Sequence, residues 1–185
     1  WSVFYAQEEV QKQIETPGLL PVGYNLATAA ITGVDLKQTY CYMITGKKGS
    51  GKTNLLRIMI RAASKKRRKV AVDEFNSTEL SSEAEALGAE YIQDETEYLR
   101  LVEELIPQFQ ERNAVRQSYK KQAMEDDEIF AAMDKNYEPY FIFLADLVDY
   151  TEVLHRNEHQ YGIDGAMTNF QEKGAMLNIY FFAAL

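Results

Sequence analysis

The feature that most constrains the fold is a glycine-rich run, Gly46–Thr53, whose residues are GKKGSGKT. The apolar stretch before it, Tyr40–Thr45, has the residue types of a buried strand, and Asn54–Ala63 after it has the apolar content of a packed helix. The run fits G-x-x-x-x-G-K-[ST] at every fixed position, between a strand and a helix as that motif requires. The chain is therefore predicted to contain a P-loop.

Each residue type in this run has a physical role toward a phosphate group. The glycines allow a tight turn whose backbone N–H groups converge on phosphate oxygens, and the helix that follows adds its N-terminal dipole. We expect the Lys52 ammonium to reach the β- and γ-phosphates and the Thr53 hydroxyl to ligate Mg²⁺, so the predicted cofactors are ATP and Mg²⁺. The predicted nucleotide-binding residues are Gly46, Lys47, Lys48, Gly49, Ser50, Gly51, Lys52, Thr53 and Asn54.

The size and charge of the chain limit the remaining possibilities. At 185 residues it is long enough for one well-buried domain and too short for two of ordinary size. The formal net charge of −8 disfavours a nonspecific nucleic-acid surface, although a local basic patch is compatible with it. No apolar run approaches the roughly 20 residues that span a membrane, so we expect membrane attachment only through segments outside this sequence.

Three smaller features have structural interpretations. The single cysteine, Cys41, excludes a disulfide framework and is predicted to be a small buried residue of the first strand. The basic run Lys65–Lys69 is interpreted as a solvated helix end, with a nucleic-acid contact as the alternative. His155–His159 matches the inverted zinc-protease pattern H-x-x-E-H, but no third ligand is evident, and a polar surface helix is the preferred interpretation.

Predicted strands and helices alternate along the chain, which is the pattern of an α/β protein. We expect a doubly wound, RecA-like P-loop NTPase fold, with a mainly parallel sheet and helices on both faces. Residues 1–18 are predicted to be an arm or linker, and residues 19–185 the ATPase domain, which we expect to continue beyond the apolar strand that ends the sequence. The charged segment Glu111–Lys135 is expected to be solvated and mobile. The later predicted strands are 70–72, 90–92, 140–146 and 177–183, and helical patterns cover 79–87 and 98–109.

The strongest buried strand after the first is Tyr140–Asp146, whose last residue is an acid. P-loop proteins keep their Walker B acid at the carboxyl end of such a strand. Asp146 is therefore predicted to be a catalytic acid and, with Thr53, a Mg²⁺ ligand. The pair Asp73–Glu74 imitates the same motif. It is the weaker alternative, because the strand that follows the P-loop helix usually lies away from the P-loop strand.

With these motifs placed, the chain resembles the FtsK/SpoIIIE-type P-loop ATPases, and within them the ATPase domains of the EssC/YukB/EccC proteins, the membrane-anchored motors of type VII secretion. The resemblance spans most of residues 19–185. It implies a cytoplasmic domain of a membrane-attached protein, whose partners are other ATPase domains of the same chain and a WXG-type secreted substrate. The stretches that carry it are Leu20–Gly23, Gly46–Leu56, Val70–Asp73 and Tyr140–Tyr150.

Members of this family usually place two adjacent acids after the apolar strand, one for Mg²⁺ and one that activates the attacking water. Here Asp146 stands between Ala145 and Leu147. Adjacent strand residues face opposite sides, so one acid cannot easily fill both places. Asp149 is a weaker candidate for the second acid. We therefore expect ATP binding with weak or absent hydrolysis.

Two other functions stay open from the sequence. An active FtsK-like motor subunit that translocates DNA as a ring would need a working acid pair and a basic channel. Both Ala145 and the net charge of −8 count against it. A domain that uses the fold only to present a binding surface would differ in having no affinity for ATP.

Overall fold

The structure is a computed structural model that describes residues 2–65, 69–161 and 163–185, without the side chains of residues 2, 158–161, 163, 164, 166, 171 and 173. Residues 66–68 of the predicted basic run lie outside the described part. Among the described residues, no helix is both long and apolar enough to cross a membrane. The helices are α1 (Ser2–Tyr5), α2 (Glu8–Glu15), α3 (Lys52–Ser64), α4 (Ser81–Leu87), α5 (Glu95–Lys121), α6 (Asp126–Asn136), α7 (Leu147–Tyr161) and α8 (Ile163–Lys173). The strands are β1 (Leu19–Tyr24), β2 (Ile31–Asp35), β3 (Cys41–Ile44), β4 (Lys69–Asp73), β5 (Glu90–Ile92), β6 (Tyr140–Leu144) and β7 (Ile179–Ala184).

The central sheet has five parallel strands in the order β3-β7-β6-β4-β5. Strands β6 and β7 are buried along their whole lengths, which explains why YFIFL and IYFFAA carry no charged residue. Strands β1 and β2 form a separate antiparallel pair. The predicted α/β fold with a mainly parallel sheet is confirmed.

Helices cover both faces of the sheet, and each face has its own apolar cluster. On one face, Leu56 and Ile60 of α3 belong to the same buried cluster as Phe143 of β6. On the other face, the cluster includes residues of α5, α7 and α8. Helices α1 and α2 add Phe4, Tyr5, Val10 and Ile14 to the α3 side. The segment predicted as an arm therefore packs on the core, and the domain boundary after residue 18 stays a prediction.

The acids at 125–128 of the segment Glu111–Lys135 are exposed, as predicted, but the expectation of a mobile segment missed two helices. Helix α5 continues through Pro107, and α6 follows after a short turn. The Glu125 N–H donates to Glu128 Oε2 at 3.1 Å and so starts α6 with half of a capping box. The high charge of the segment concealed the apolar face of α6. Its buried residues are Ile129, Phe130 and Met133.

A buried arginine holds the second half of α5 against the sheet. Arg112 is 6% exposed, and its Nη1 donates to the carbonyl oxygens of Leu177 at 3.0 Å and Asn178 at 2.9 Å. Its Nη2 donates to the Glu138 carbonyl at 3.1 Å. Hydrogen bonds from a charged donor are stronger than neutral ones. Arg112 therefore ties α5 to the two loops that lead into β6 and β7.

The strand before the P-loop, β3, lies at the edge of the described sheet and pairs with β7. Cys41 is exposed on this strand, so the prediction that it is buried is wrong. Local sequence indicates a strand but does not indicate whether another strand covers its outer side. The edge position leaves the P-loop accessible at one side of the fold.

Candidate nucleotide-binding site

The carboxyl ends of the parallel strands meet at one edge of the sheet, where α/β proteins bind their ligands. The P-loop connects β3 to α3 at this edge, β4 ends there, and α7 begins just beyond β6. An open pocket of about 210 Å³ lies at the same edge. Its lining includes Thr53, Asp73, Ala145, Asp146 and Asp149. The structure thus brings the predicted Mg²⁺ ligands, Thr53 and Asp146, to one pocket.

The backbone of the P-loop has the conformation that a phosphate cradle needs. Gly49 and Gly51 have φ angles of +80° and +95°, with open space where a Cβ would stand. A Cβ on Gly46 would lie 2.4 Å from Ser50 Oγ, so any larger residue would displace that side chain. The N-cap of α3 is Gly51, which has no side chain to offer the N–H groups of the first helical turn. The loop therefore fits a bound phosphate, which those N–H groups can satisfy.

The P-loop lysine lies over this cradle. Lys52 Nζ donates to the Gly46 carbonyl oxygen at 2.7 Å. This bond spans the loop from its last residues to its first and keeps the ammonium beside the glycine turn. An ammonium held there can interact with an anion that enters the loop. The role expected for Lys52 toward phosphate stays a prediction.

Asp146 lies at the rim of the pocket and also begins a helix. Its carboxylate is exposed, and its Oδ1 accepts a hydrogen bond from the Val148 N–H at 2.8 Å. It therefore serves as the N-cap of α7. Ala145 precedes it and packs partly against the apolar cluster on the α3 side. At this position the pocket has a methyl group in place of a carboxylate.

Asp73 is the pocket residue that the sequence reasoning underrated. Its side chain is 2% exposed, and its Oδ2 makes no hydrogen bond within the described part of the chain. Burial above all, and then the Asp149 carboxylate, raises the pKa of Asp73 to about 8. Strand β4 lies away from β3, as expected, but directly beside β6. The sequence did contain a signal for Asp73, because this acid immediately follows the apolar run Val70–Val72.

Glu74 and Asp149 have different surroundings from Asp73. The Glu74 carboxylate accepts hydrogen bonds from the N–H groups of Glu79 at 3.0 Å and Leu80 at 2.9 Å. It also accepts one from the Tyr91 hydroxyl at 2.8 Å. Glu74 thus stabilises the loop between β4 and α4. Of the pair Asp73–Glu74, only Asp73 has a carboxyl oxygen without a partner in the described part of the chain. Asp149 is half-buried and accepts a hydrogen bond from Asn76 Nδ2 in the same loop.

The H-x-x-E-H segment falls on α7, away from the P-loop. His155 is exposed, whereas the side chains of Glu158 and His159 lie outside the described residues. Within the described part of the chain, no group of three or more His, Cys, Asp or Glu side chains is arranged to hold a metal ion.

Comparisons with known proteins agree with this geometry. A family profile, the CobW/HypB/UreG nucleotide-binding domain, matches residues 40–105, which include β3, the P-loop, α3 and β4. The comparison with curated protein sequences found no match. The matched region also includes β5 and the first part of α5. This match supports the assignment of a P-loop NTPase fold.

Solved structures extend the likeness to nearly the whole chain. The cytoplasmic domain of EssC superposes with a TM-score of 0.71 at 16% identity, over 98% of this chain and 33% of that structure. The pCW3 conjugation coupling protein TcpA, solved with ATPγS, gives 0.64 at 17% identity, over 94% of this chain and 50% of that one. EccC ATPases 2 and 3 of Thermomonospora curvata, in complex with a signal sequence peptide, superpose with a TM-score of 0.61 at 13% identity. The match covers 92% of this chain and 29% of that structure.

At such low identities, the TM-scores show a shared fold. The chain has the fold of an EssC-type P-loop ATPase domain, and the predicted resemblance to such domains is confirmed at that level. The chain spans about a third of the length of the EssC structure and half of the TcpA structure. Whether this chain shares the activity of those larger proteins is therefore treated below as a proposal.

Proposed function

We propose that this chain is an ATP-binding domain of a type VII protein secretion motor, with weak or absent hydrolysis. The observation that carries the proposal is the open, glycine-lined P-loop at the carboxyl edge of the sheet, with Lys52 over it and Thr53 in the adjacent pocket. The likeness to EssC and EccC supports the motor class. Because the chain spans a third of EssC, we propose that other ATPase domains share its polypeptide and that it lies on the cytoplasmic side of a membrane-attached protein.

In this function, the P-loop residues bind the nucleotide. The backbone N–H groups of Lys48–Gly51 and the Lys52 ammonium bind the phosphates, while Thr53 and Asp146 hold Mg²⁺ or its water shell. Bound Mg²⁺ would neutralise charge on the β- and γ-phosphates. The dipole of α3 adds to this attraction, since the helix begins at Lys52 and points its N-terminus at the loop.

Slow hydrolysis follows from the residues beside Asp146. Ala145 and Leu147 supply no carboxylate, so only one of two adjacent acids is present. Phosphoryl transfer depends on positioned charge and on an oriented water, and removal of one such group commonly lowers turnover by about 10²–10³-fold. We infer that the domain holds ATP as a structural or regulatory ligand.

A secreted protein is the partner proposed for the whole motor. The EccC structure contains a signal sequence peptide, which supports a peptide-recognition role for that protein. By likeness, we propose that a WXG-type substrate binds the motor to which this domain belongs.

The test is ATP binding by calorimetry, with and without Mg²⁺, beside a Lys52→Ala variant, followed by a phosphate-release assay. Binding that requires Lys52, with almost no phosphate release, supports the proposal. Steady turnover would overturn the weak-hydrolysis part. Absence of binding would leave a docking domain that has the fold without the ligand.

A DNA-translocating ring subunit is the second candidate, and the likeness to the conjugation coupling protein TcpA is the observation that favours it. The net charge of −8 opposes it, because DNA binding depends on cationic contacts with phosphate. DNA binding whose affinity falls steeply with salt would select this function over secretion.

A further inference from the structure

We propose that Asp73 on β4 and Asp149 on α7 complete the Mg²⁺ site of the P-loop, because both line the same pocket as Thr53 and Asp146. The inference rests on the proposed function, since it requires a nucleotide whose phosphates lie in the pocket. It adds two ligands, or two acceptors for the metal's water molecules, to Thr53 and Asp146.

The first support is the position of Asp73 in the sheet. In the parallel pairing of β4 with β6, Asp73 is the partner of Leu144, and its carbonyl oxygen accepts the Ala145 N–H at 2.9 Å. Neighbouring strands lie about 4.8 Å apart. Asp73 thus stands beside β6 at the carboxyl end of the sheet, with its side chain on the face of Leu144 and opposite to Ala145. From there it lines the same pocket as Thr53 and Asp146.

The second support is the surroundings of the Asp73 carboxyl. It lines the pocket, is 2% exposed, and has an Oδ2 atom without a hydrogen-bond partner in the described part of the chain. A buried polar oxygen with no partner is costly, and native structures avoid it unless a ligand or function requires it. A hydrated cation in the pocket would supply the missing interaction.

Two tyrosines extend this polar cluster. The hydroxyls of Tyr98 and Tyr150 are buried, and the two rings lie against each other with their centroids 3.9 Å apart. Both rings pack near Phe75, which lines the pocket. Burial above all, and then neighbouring groups that include Asp73, raises the pKa of both phenols. Neutral hydroxyls beside Asp73 can donate to it or accept from metal-bound water.

The third support is that Asp149 is oriented toward the same pocket by a fixed loop. The loop between β4 and α4 is held by Glu74, which accepts the N–H groups of Glu79 and Leu80. Asn76 in that loop donates to the Asp149 carboxylate. Asp149 and Asp73 both line the pocket. Carboxylate oxygens are the protein ligands that Mg²⁺ usually takes.

The number of protein ligands in the pocket also bears on whether Mg²⁺ binds without nucleotide. Among the described residues, no three-ligand group of acids, His or Cys is present, so the protein alone does not enclose a metal. Mg²⁺ is usually held by one or two carboxylates together with substrate phosphates and water. We infer that Mg²⁺ binds here only with the nucleotide, and that Asp73 and Asp149 contribute to nucleotide affinity only when Mg²⁺ is present.

The test measures the affinity of the full 185-residue chain for ATPγS by calorimetry, in EDTA and in Mg²⁺. It compares wild type with Asp73→Asn, Asp149→Asn and the control Glu152→Gln, which neutralises an exposed acid on α7 outside the pocket lining. Mg²⁺ should strengthen binding by wild type and by the control. That gain should fall by about tenfold or more in each Asp variant, as for ligands of the metal or its waters. Affinity in EDTA should be unchanged or slightly higher.

A second readout tests the metal directly. Mn²⁺ replaces Mg²⁺, and electron paramagnetic resonance counts the Mn²⁺ bound to the protein with ATPγS; the two Asp variants should bind less than wild type. Retention of the full Mg²⁺ gain and of bound Mn²⁺ in both variants would overturn this inference and leave the metal to Thr53 and Asp146. Failure of wild type to bind ATPγS in either buffer would overturn the proposed function, and this inference with it. The two failures are thus distinguishable.

Discussion

Replacement of Asp73 by Asn should remove a pH dependence from the stability of the protein in EDTA without nucleotide. Burial raises the pKa of the Asp73 carboxyl to about 8, whereas an unfolded chain has a value of about 3.9. The folded state therefore binds this proton more tightly than the unfolded state. The stabilisation is complete below the unfolded pKa and is lost as the pH rises through the folded pKa. Asn carries no such proton.

The size of the effect follows from the difference between the two pKa values. Between pH 5 and pH 7 the unfolded carboxyl is ionised while the folded one stays largely protonated. One pKa unit corresponds to about 1.4 kcal/mol, so wild type should lose about 3 kcal/mol of unfolding free energy relative to the variant over this range. For a chain of this length, that corresponds to about 6–12 °C in the difference between melting temperatures.

Urea unfolding at pH 5, 6 and 7 in EDTA measures this difference, and Glu152→Gln is the matched control because its carboxylate is exposed. The free-energy difference between Asp73→Asn and wild type should change steadily with pH, while that of the control stays constant. A difference that is the same at pH 5 and pH 7 would refute the reasoning, because the Asp73 carboxyl would then be hydrated or paired. Asp149→Asn should weaken the effect, since it removes the second cause of the raised pKa.

Three further predictions test the site and the fold. Lys52→Ala should lower ATPγS affinity by about tenfold or more through loss of a charged contact, with the melting temperature of the nucleotide-free protein nearly unchanged; equal affinity in calorimetry would remove Lys52 from the site. Ala145→Asp restores the acid expected beside Asp146 and should raise phosphate release by at least about tenfold; an assay that shows no increase would mean that another group limits turnover. Arg112→Met leaves three backbone carbonyls without their charged donor and should lower the unfolding free energy by about 3 kcal/mol, measured in urea; a loss below about 1 kcal/mol would contradict the role assigned to that side chain.

Much of the fold was accessible from sequence because its signals are local or strongly apolar. The strand predicted at Tyr140–Asp146 is β6 over Tyr140–Leu144, and the helical pattern predicted at 98–109 lies within α5. The Asp94 carboxylate accepts the Glu97 N–H at 2.9 Å and so caps the start of α5. The helix predicted at 79–87 is α4, and Gly88 ends it with a φ of +66°. In each case, residues that are close together in sequence determine the local structure.

The errors arose where burial depends on distant residues. The charged stretch after Phe109 was expected to be mobile, yet Arg112 is buried because carbonyl oxygens far away in the chain accept its hydrogen bonds. Cys41 was expected to be buried, yet its strand lies at the edge of the described sheet. Neither composition nor periodicity records which strand lies next to which.

The sequence by itself determined the P-loop, because a glycine turn, a lysine and a helix N-terminus form a phosphate cradle from consecutive residues. It also determined that one acid of the expected pair is missing at Ala145. Only the tertiary structure decided which other acids line the same pocket. The strand order β3-β7-β6-β4 brings Asp73, more than 70 residues away in sequence, to within one strand of Ala145. The physical reason is that hydrogen-bond pairing between strands, which no local pattern encodes, sets the neighbours of every side chain at the edge of the sheet.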